Sequence, residues 1–276
     1  MAGLYVKNAG TWYLPKSIWV KYANTWRVCN NVYIKHGGVW REMIKSVTLS
    51  YSTTNFNLYS YAGSPSQPLS LIFNIASNVV ISSSGITGGY RTTAFTVGNF
   101  PTGSTVIINN NGYIAGGAGA RGLGGNSSRV NGLAGGNGGY GLVKGSSRNY
   151  DCTLVNTGTI SGGGGGGGGG GSDVRSGGAA YGGYGGEGAG ITGYSRTQGE
   201  IGQPAPSGTL TIVGGADQII YGGAGGNGGS NGANGTAGSN APAGYGRGAG
   251  GGLGRPAIVK SGIEIAVSGN IDGGIG

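Results

Sequence analysis

The chain has 276 residues, of which 70 are glycine and 8 are proline, and only 9% are charged. One histidine, His36, and two cysteines, Cys29 and Cys152, are too few ligands for a zinc site, and no apolar run reaches the ~18 residues of a membrane span. The net charge of +9 is concentrated in residues 1–46, where Lys7, Lys16, Lys21, Arg27, Lys35, Arg41 and Lys45 stand against Glu42 alone; basicity confined to one segment and recurring in fixed register points to a protein partner or a solvated strand face rather than a nucleic-acid groove.

The opening MAGLYVKNAG has no secretory character. Residues 4–41 repeat one pattern three times. Leu4-Tyr5-Val6-Lys7, Ile18-Trp19-Val20-Lys21 and Val32-Tyr33-Ile34-Lys35 each run apolar–aromatic–apolar–Lys. Each is followed by a turn rich in Asn or Gly and a returning Trp12, Trp26 or Trp40. Strand formers around such a turn predict a β-hairpin. A hairpin of this size buries little alone, so the copies must pack on each other or on a partner. Two readings stay open. The tryptophans fill a self-contained β-unit, or the internal three-fold repeat matches the end of a homotrimer, with Trp12, Trp26, Trp40, Lys7, Lys21 and Lys35 as the attachment residues. Residues 1–46 are thus expected to be a three-hairpin attachment module.

Residues 47–114 alternate β-branched and aromatic residues with Gly, Pro and Ser breaks and read as a β-rich linking domain without helical periodicity. Tyr51, Phe56, Tyr59 and Tyr61 read as packing residues. Of the two cysteines, one falls in each half; they form no disulfide framework and read as free.

Residues 115–254 carry 54 of the glycines. Such composition alone flags disorder, but disorder predicts no register, and a register of three is visible. Ala115, Ala118 and Arg121 are three apart, as are Ala134, Asn137 and Tyr140, then Tyr181, Tyr184 and Glu187, then Ala224, Asn227 and Ser230. Three residues per turn is the polyproline-II period, and that helix makes no internal hydrogen bonds. Its backbone groups must pair with neighbouring chains, which glycine permits by close approach. A run with one bulky residue in three has one exposed edge. Gly162 to Gly171, ten consecutive glycines, has none and is expected at the centre of the array.

A second repeat marks where the chain enters the array, with Ile114, Ile160 and Ile271 at its ends and a weaker copy at Ile220. Outward turns are expected at 126–131, 172–176 and 236–243, with 191–207 either a basal or a distal loop. The expected fold is mostly β and irregular: N-terminal hairpin repeats and strands, then a polyglycine-II helix sandwich over 115–276, with essentially no α-helix.

The GGX-type runs at 132–141, 177–190 and 222–235, the Gly162–Gly171 run and the Ile-x-Gly-Gly junctions resemble the detachable tail-fibre adhesins of T-even-like bacteriophages and related phage host-specificity proteins. The resemblance is architectural and covers about 115–276; the hairpin triplet lies outside it. It implies a monomeric adhesin, made in the host cytoplasm and carried at the distal tip of a virion tail fibre. A homotrimeric fibre protein would hold its N-terminal module. Displayed loops would recognise a bacterial outer-membrane protein or surface glycan, with no enzyme activity, cofactor, metal, nucleic acid or membrane insertion. The receptor-contacting candidates are then Arg129 and Val130; Asp173, Val174 and Arg175; Tyr194 and Arg196; and Asn240 and Pro242. Arg and Tyr are frequent interface anchors. Two alternatives remain: a glycine-rich structural or ice-binding protein similar to springtail antifreeze proteins, and a tail-fibre depolymerase built on carboxylates drawn from Asp151, Asp173, Glu187, Glu200 and Asp217.

Overall fold

In a computed structural model, the structure describes residues 6–276 except 9–10, 14–18, 23, 29–30, 37–38, 84–85, 88–89, 92, 146–147, 176–177, 186–188, 193–194, 198–206, 211–217, 243–245 and 268. Among the described residues the only helix is the four-residue Leu58–Tyr61; the chain is otherwise strands, turns and extended glycine runs.

The three repeats fold as three antiparallel hairpins in one register. Strands β1 (Val6–Asn8) and β2 (Thr11–Tyr13) place Lys7 opposite Trp12. Strands β3 (Trp19–Tyr22) and β4 (Thr25–Val28) place Lys21 opposite Trp26, around a turn in which Asn24 takes the left-handed conformation, φ 62°. Strands β5 (Asn31–His36) and β6 (Val39–Leu49) place Lys35 opposite Trp40. Strand β6 runs on past residue 46 and pairs in parallel with the 70–75 strand, so the third hairpin and the 47–114 segment share one sheet.

From β6 onward the chain winds as a three-faced parallel β-solenoid. One turn supplies β6, β7 (Thr53–Thr54) and β8 (Phe56–Asn57). The second supplies β9 (Ser70–Ile75) and β10 (Val80–Ser82), then, after a short hairpin of β11 (Ile86–Thr87) and β12 (Tyr90–Arg91), β13 (Phe95–Thr96). The third supplies β14 (Thr105–Asn110), β15 (Tyr113–Ala115) and β16 (Leu142–Val143). The fourth supplies β17 (Asp151–Asn156) and β18 (Thr159–Ser161), and its third face waits until Ile258–Val259. A last partial turn comes at Glu264–Val267 and Asn270–Asp272. Equivalent strands stack in parallel, and alternating residues point inward.

Like residues therefore form ladders. Phe73, Ile108 and Leu154 stack on one face, Ile81, Ile114, Ile160 and Ile271 on the second, and Phe56, Phe95, Leu142 and Ile258 on the third. Phe56 lies 5.3 Å from both Phe73 and Phe95, ring centre to ring centre, and Tyr59 meets Phe100 edge-on at 5.4 Å. Tyr51, expected to pack, is exposed. A buried asparagine continues the ladder of Leu49 and Ile75: Asn110 Nδ2 donates to Asn156 Oδ1 at 2.7 Å, and Asn110 Oδ1 accepts from Gly112 N. Each amide thus finds partners inside the solenoid.

The glycine runs are insertions between the second and third faces of the third and fourth turns. Seven runs occur among the described residues: I (116–125), II (132–141), III (162–171), IV (181–185 and 189), V (222–230), VI (233–241) and VII (246–255). Run III is central. Its consecutive residues Gly163, Gly164 and Gly165 donate to Gly139 of II, Ala189 of IV and Ala233 of VI at 2.7–2.9 Å. Their carbonyls accept from Arg255 of VII, Gly119 of I and Gly229 of V at 2.7–2.9 Å. The pattern recurs three residues on, so three residues address all six neighbours. The ring of neighbours closes through I–II (Gly136 N to Ala120 O), II–VII (Gly135 N to Gly250 O), VII–VI (Gly235 N to Gly252 O), VI–V (Thr236 N to Asn227 O), V–IV (Gly183 N to Gly223 O) and IV–I (Gly185 N to Gly122 O). Every glycine of run III is buried, and a β-carbon on any of them would fall well inside 3.0 Å of a neighbour's backbone. Side chains cap the perimeter donors that face no further run. Asn131, Asn137, Asn234 and Asn240 Oδ1 accept from Arg247, Leu253, Gly254 and Gly248 N at 2.7–2.9 Å.

Three expectations change. Gly223 N donates to Gly171 O, at the end of the array away from the solenoid, so Ile220 marks the far end and only Ile114, Ile160 and Ile271 share a sheet. Residues 236–241 lie within run VI, because their backbone pairs with runs III and V; of the expected turn, Pro242 follows the run and 243 lies outside the described residues. The sheets also cross the boundary expected at 114/115, since 142–161 and 258–272 supply strands to them.

Candidate functional site

Runs I, III and VI rise from the solenoid and II, IV, V and VII return, as the parallel and antiparallel bond registers require. The connections at the far end gather in one place. The turn between I and II is an Asx turn: Asn126 Oδ1 accepts from Ser128 N at 3.1 Å and Arg129 N at 2.8 Å. Arg129 closes it from outside, its Nη2 donating to Gly124 O at 2.9 Å and its Nε to Asn131 O at 3.3 Å. Val130 is half-buried because its carbonyl accepts both Ser172 N at 2.8 Å and Ser172 Oγ at 3.0 Å, which ties this turn to run III.

The connection from III to IV is a hairpin of β19 (Asp173–Arg175) and β20 (Gly178–Ala180). Asp173 is 1% exposed and forms a bidentate ion pair with Arg175, at 2.8 and 2.7 Å. Asp173 is therefore a brace, and contact from this hairpin falls to the partly exposed Val174 and Arg175. Asn240 and Pro242 are exposed at the VI–VII turn, and Asn240 already accepts from Gly248 N.

Arg129, Val130, Asp173, Val174, Arg175, Asn240 and Pro242 thus meet at one end. Tyr194 lies outside the described residues. Arg196 does not belong to this end: it sits on β22 (Ser195–Thr197), paired with Ile191 of β21 (Gly190–Thr192), and Ile191 N donates to Gly116 O beside the solenoid. The remaining far-end element is a hairpin of β23 (Ser207–Leu210) and β24 (Gln218–Tyr221), which packs on β20. Sequence reasoning missed it, although alternating β-branched residues around Gly214-Gly215 carry the signal. Of the attachment candidates, Lys21 is exposed, and Lys7, Lys35, Trp12, Trp26 and Trp40 are placed by backbone register.

Among the described residues, no cluster of His, Cys, Asp and Glu could hold a metal, and no helix is long and apolar enough to cross a membrane. Of the candidate carboxylates, Asp173 is buried in its ion pair, and Asp151 sits on the solenoid, not at the far end. A cleft of about 380 Å³ lies there between Lys144, Tyr150, Cys152 and Gly262. Lys144 fills part of it, with Nζ donating to Tyr150 O at 3.1 Å and lying 4.1 Å from the Tyr150 ring centre. Burial pushes the Cys152 thiol up to about 12, against a smaller opposing pull from Lys144.

The family model of the phage tail fibre adhesin Gp38 matches residues 44–276. No curated protein matches the chain. Among solved structures, the chain is similar to one in the gp37–gp38 adhesin tip complex of the bacteriophage S16 long tail fibre, at 23% identity and a TM-score of 0.39, over 85% of this chain and 82% of that one. The chain belongs to the phage tail fibre adhesin Gp38 family and is a receptor-binding adhesin.

Proposed function

We propose that this tail-fibre adhesin sits at the distal tip of its fibre and reads the host surface with the far end of the glycine array. The observation that carries the reading is the separation of the two ends. The hairpin repeats join the first turn of the solenoid. The turn at 126–131, Pro242 at the end of run VI, and the strand pairs β19–β20 and β23–β24 gather at the opposite end of the array. Loops held by a rigid scaffold are suited to recognition because little of the contact surface must be ordered on binding. The three hairpins share a Lys–Trp register, which fits docking of one chain on the three-fold end of a homotrimeric fibre protein. The receptor class is an outer-membrane protein or a surface glycan.

Replacing 127–130 with Gly-Ser and Val174 with Ser, while keeping Asn126, Ser172, Asp173 and Arg175, should abolish the ability of the purified protein to block phage adsorption. The melting temperature should hold. Unchanged blocking by a folded variant would remove the far end as the reading surface.

A further inference from the structure

The perimeter of the array is chemically two-sided. On runs I, II and IV and at the start of V, large apolar side chains point outward: Leu123, Leu133, Tyr181, Tyr184 and Tyr221 are each 41–50% exposed. They are neighbours across the runs. Leu133 N donates to Leu123 O at 2.8 Å, Gly185 N to Gly122 O at 2.9 Å and Gly183 N to Gly223 O at 2.9 Å, so these bonds set the side chains in a band around the far half of one side. Arg121 joins the band, its guanidinium 5.5 Å from the Tyr184 ring centre. The near half of the same side is covered by the chain itself: Ala118, Ala189 and Ile191 are buried where Ile191 pairs with Gly116. Runs V, VI and VII instead expose small and polar residues such as Asn227, Ser230, Thr236 and Ser239. Leu253, half-exposed near the solenoid end of VII, stands apart from the band.

We infer that this band is a second contact surface of the adhesin, and that it receives a protein segment presenting apolar side chains flanked by carboxylates. The inference rests on the adhesin reading and adds a lateral surface to the far-end loops. Contiguous exposed apolar area on a folded chain marks an interaction site. Its tyrosines and Arg121 are of the residue types enriched at protein interfaces. A saccharide would require converging hydrogen-bonding side chains beside the rings, whereas the side chains that extend this band from the tyrosines are Leu123 and Leu133. Among the described residues the charged side chain in the band is a cation, Arg121, exposed beside Tyr184. An acidic partner is steered to such a face. The side chains stand on backbone-bonded runs, so their positions are set before contact.

The test uses the full chain and envelope vesicles from the bacterium on which the parent phage forms plaques. Binding is compared for wild type, Leu123→Ser/Leu133→Ser/Tyr184→Ser, Arg121→Glu and, as a control off the band, Leu253→Ser. Melting temperature is measured for each, and Tyr184→Phe shows whether the apolar ring suffices. Vesicles are used as prepared, after trypsin treatment, and as protein-free liposomes carrying the strain's lipopolysaccharide. The inference expects a loss of roughly tenfold or more for the triple variant and for Arg121→Glu, with Leu253→Ser and Tyr184→Phe unchanged and binding abolished by trypsin. Wild-type affinity in folded band variants overturns it, as does an equal loss in Leu253→Ser. Full retention on lipopolysaccharide liposomes overturns the protein partner. Failure of the wild type to bind any vesicle removes the adhesin reading, and the band with it.

Discussion

At residue scale the array is governed by what a single carbon atom would meet. A β-carbon at Gly166 would strike the carbonyl of Ala120, which is itself bonded to run II, whereas one at Gly250 meets nothing within 4 Å. Gly166→Ala should therefore cost about 3 kcal/mol or more, since backbone cannot yield as a side-chain tip can. Gly250→Ala should be neutral or gain up to about 1 kcal/mol by restricting the unfolded chain. Thermal denaturation of the two variants checks the contrast, and equal melting temperatures would contradict the central placement of run III. Cys152 supplies a pH signature. Its thiol, ordinarily near 9.0, is held up to about 12 by burial, so the native state keeps a proton that the unfolded chain releases. Stability from this group is complete below about 9 and is lost as pH climbs toward about 12. Tyr150, whose phenol burial also pushes up, acts in the same direction. Denaturant midpoints measured across that window should fall with pH, and Cys152→Ala should flatten the slope.

At the scale of elements, the far-end hairpin depends on one ion pair. Removing Arg175 leaves Asp173 buried without its partner, and breaking a buried pair from one side costs about 3–5 kcal/mol; because Arg175 is itself a quarter exposed, the lower end of that range is expected. Arg175→Ala should lower the melting temperature more than Asp173→Asn/Arg175→Ala, which removes both charges. The reverse order would show that the pair does not brace the hairpin. The hairpins of the N-terminal repeat obey a simpler rule, in which turn chemistry and cross-strand Lys–Trp register are local and so recur wherever the pattern recurs.

For the whole molecule, the array and the solenoid are one topological object. Runs I and II leave and re-enter the third turn at Ala115 and Leu142, and the remaining five are threaded between Ser161 and Ile258 of the fourth. The solenoid supplies the apolar core, with ladders such as Phe56–Phe95–Leu142–Ile258. The array supplies almost none, and its net hydrogen bonds of about 0.5–1.5 kcal/mol each are matched by the backbone entropy of ordering glycine, about 1–2 kcal/mol per residue. Residues 162–255, which carry runs III to VII and none of the solenoid strands, should therefore remain protease-sensitive and lack dispersed amide resonances when expressed alone, while the full chain resists digestion. A folded 162–255 fragment would show that these runs need neither the solenoid nor runs I and II.

The hairpin triplet, the three-residue period and the central position of Gly162–Gly171 were legible in the sequence because each comes from local sterics: turn residues, one side chain per turn, or none. The tip candidates Arg129, Val174, Arg175 and Pro242 were legible because charged or bulky residues interrupting glycine must lie where the array ends or faces outward. The direction of each run was not. Glycine runs look alike whether they rise or return, and only the backbone pairing shows that Ile220 opens run V from the far end while Ile114, Ile160 and Ile271 share a sheet. The solenoid was hidden for a related reason. Its third face is completed by Leu142 and Ile258, separated from their turns by insertions that no periodicity can bridge. The burial of Asp173 and the outward band of Leu123, Leu133 and Tyr184 also depend on which runs become neighbours, and hydrogen bonding between segments distant in sequence sets that order.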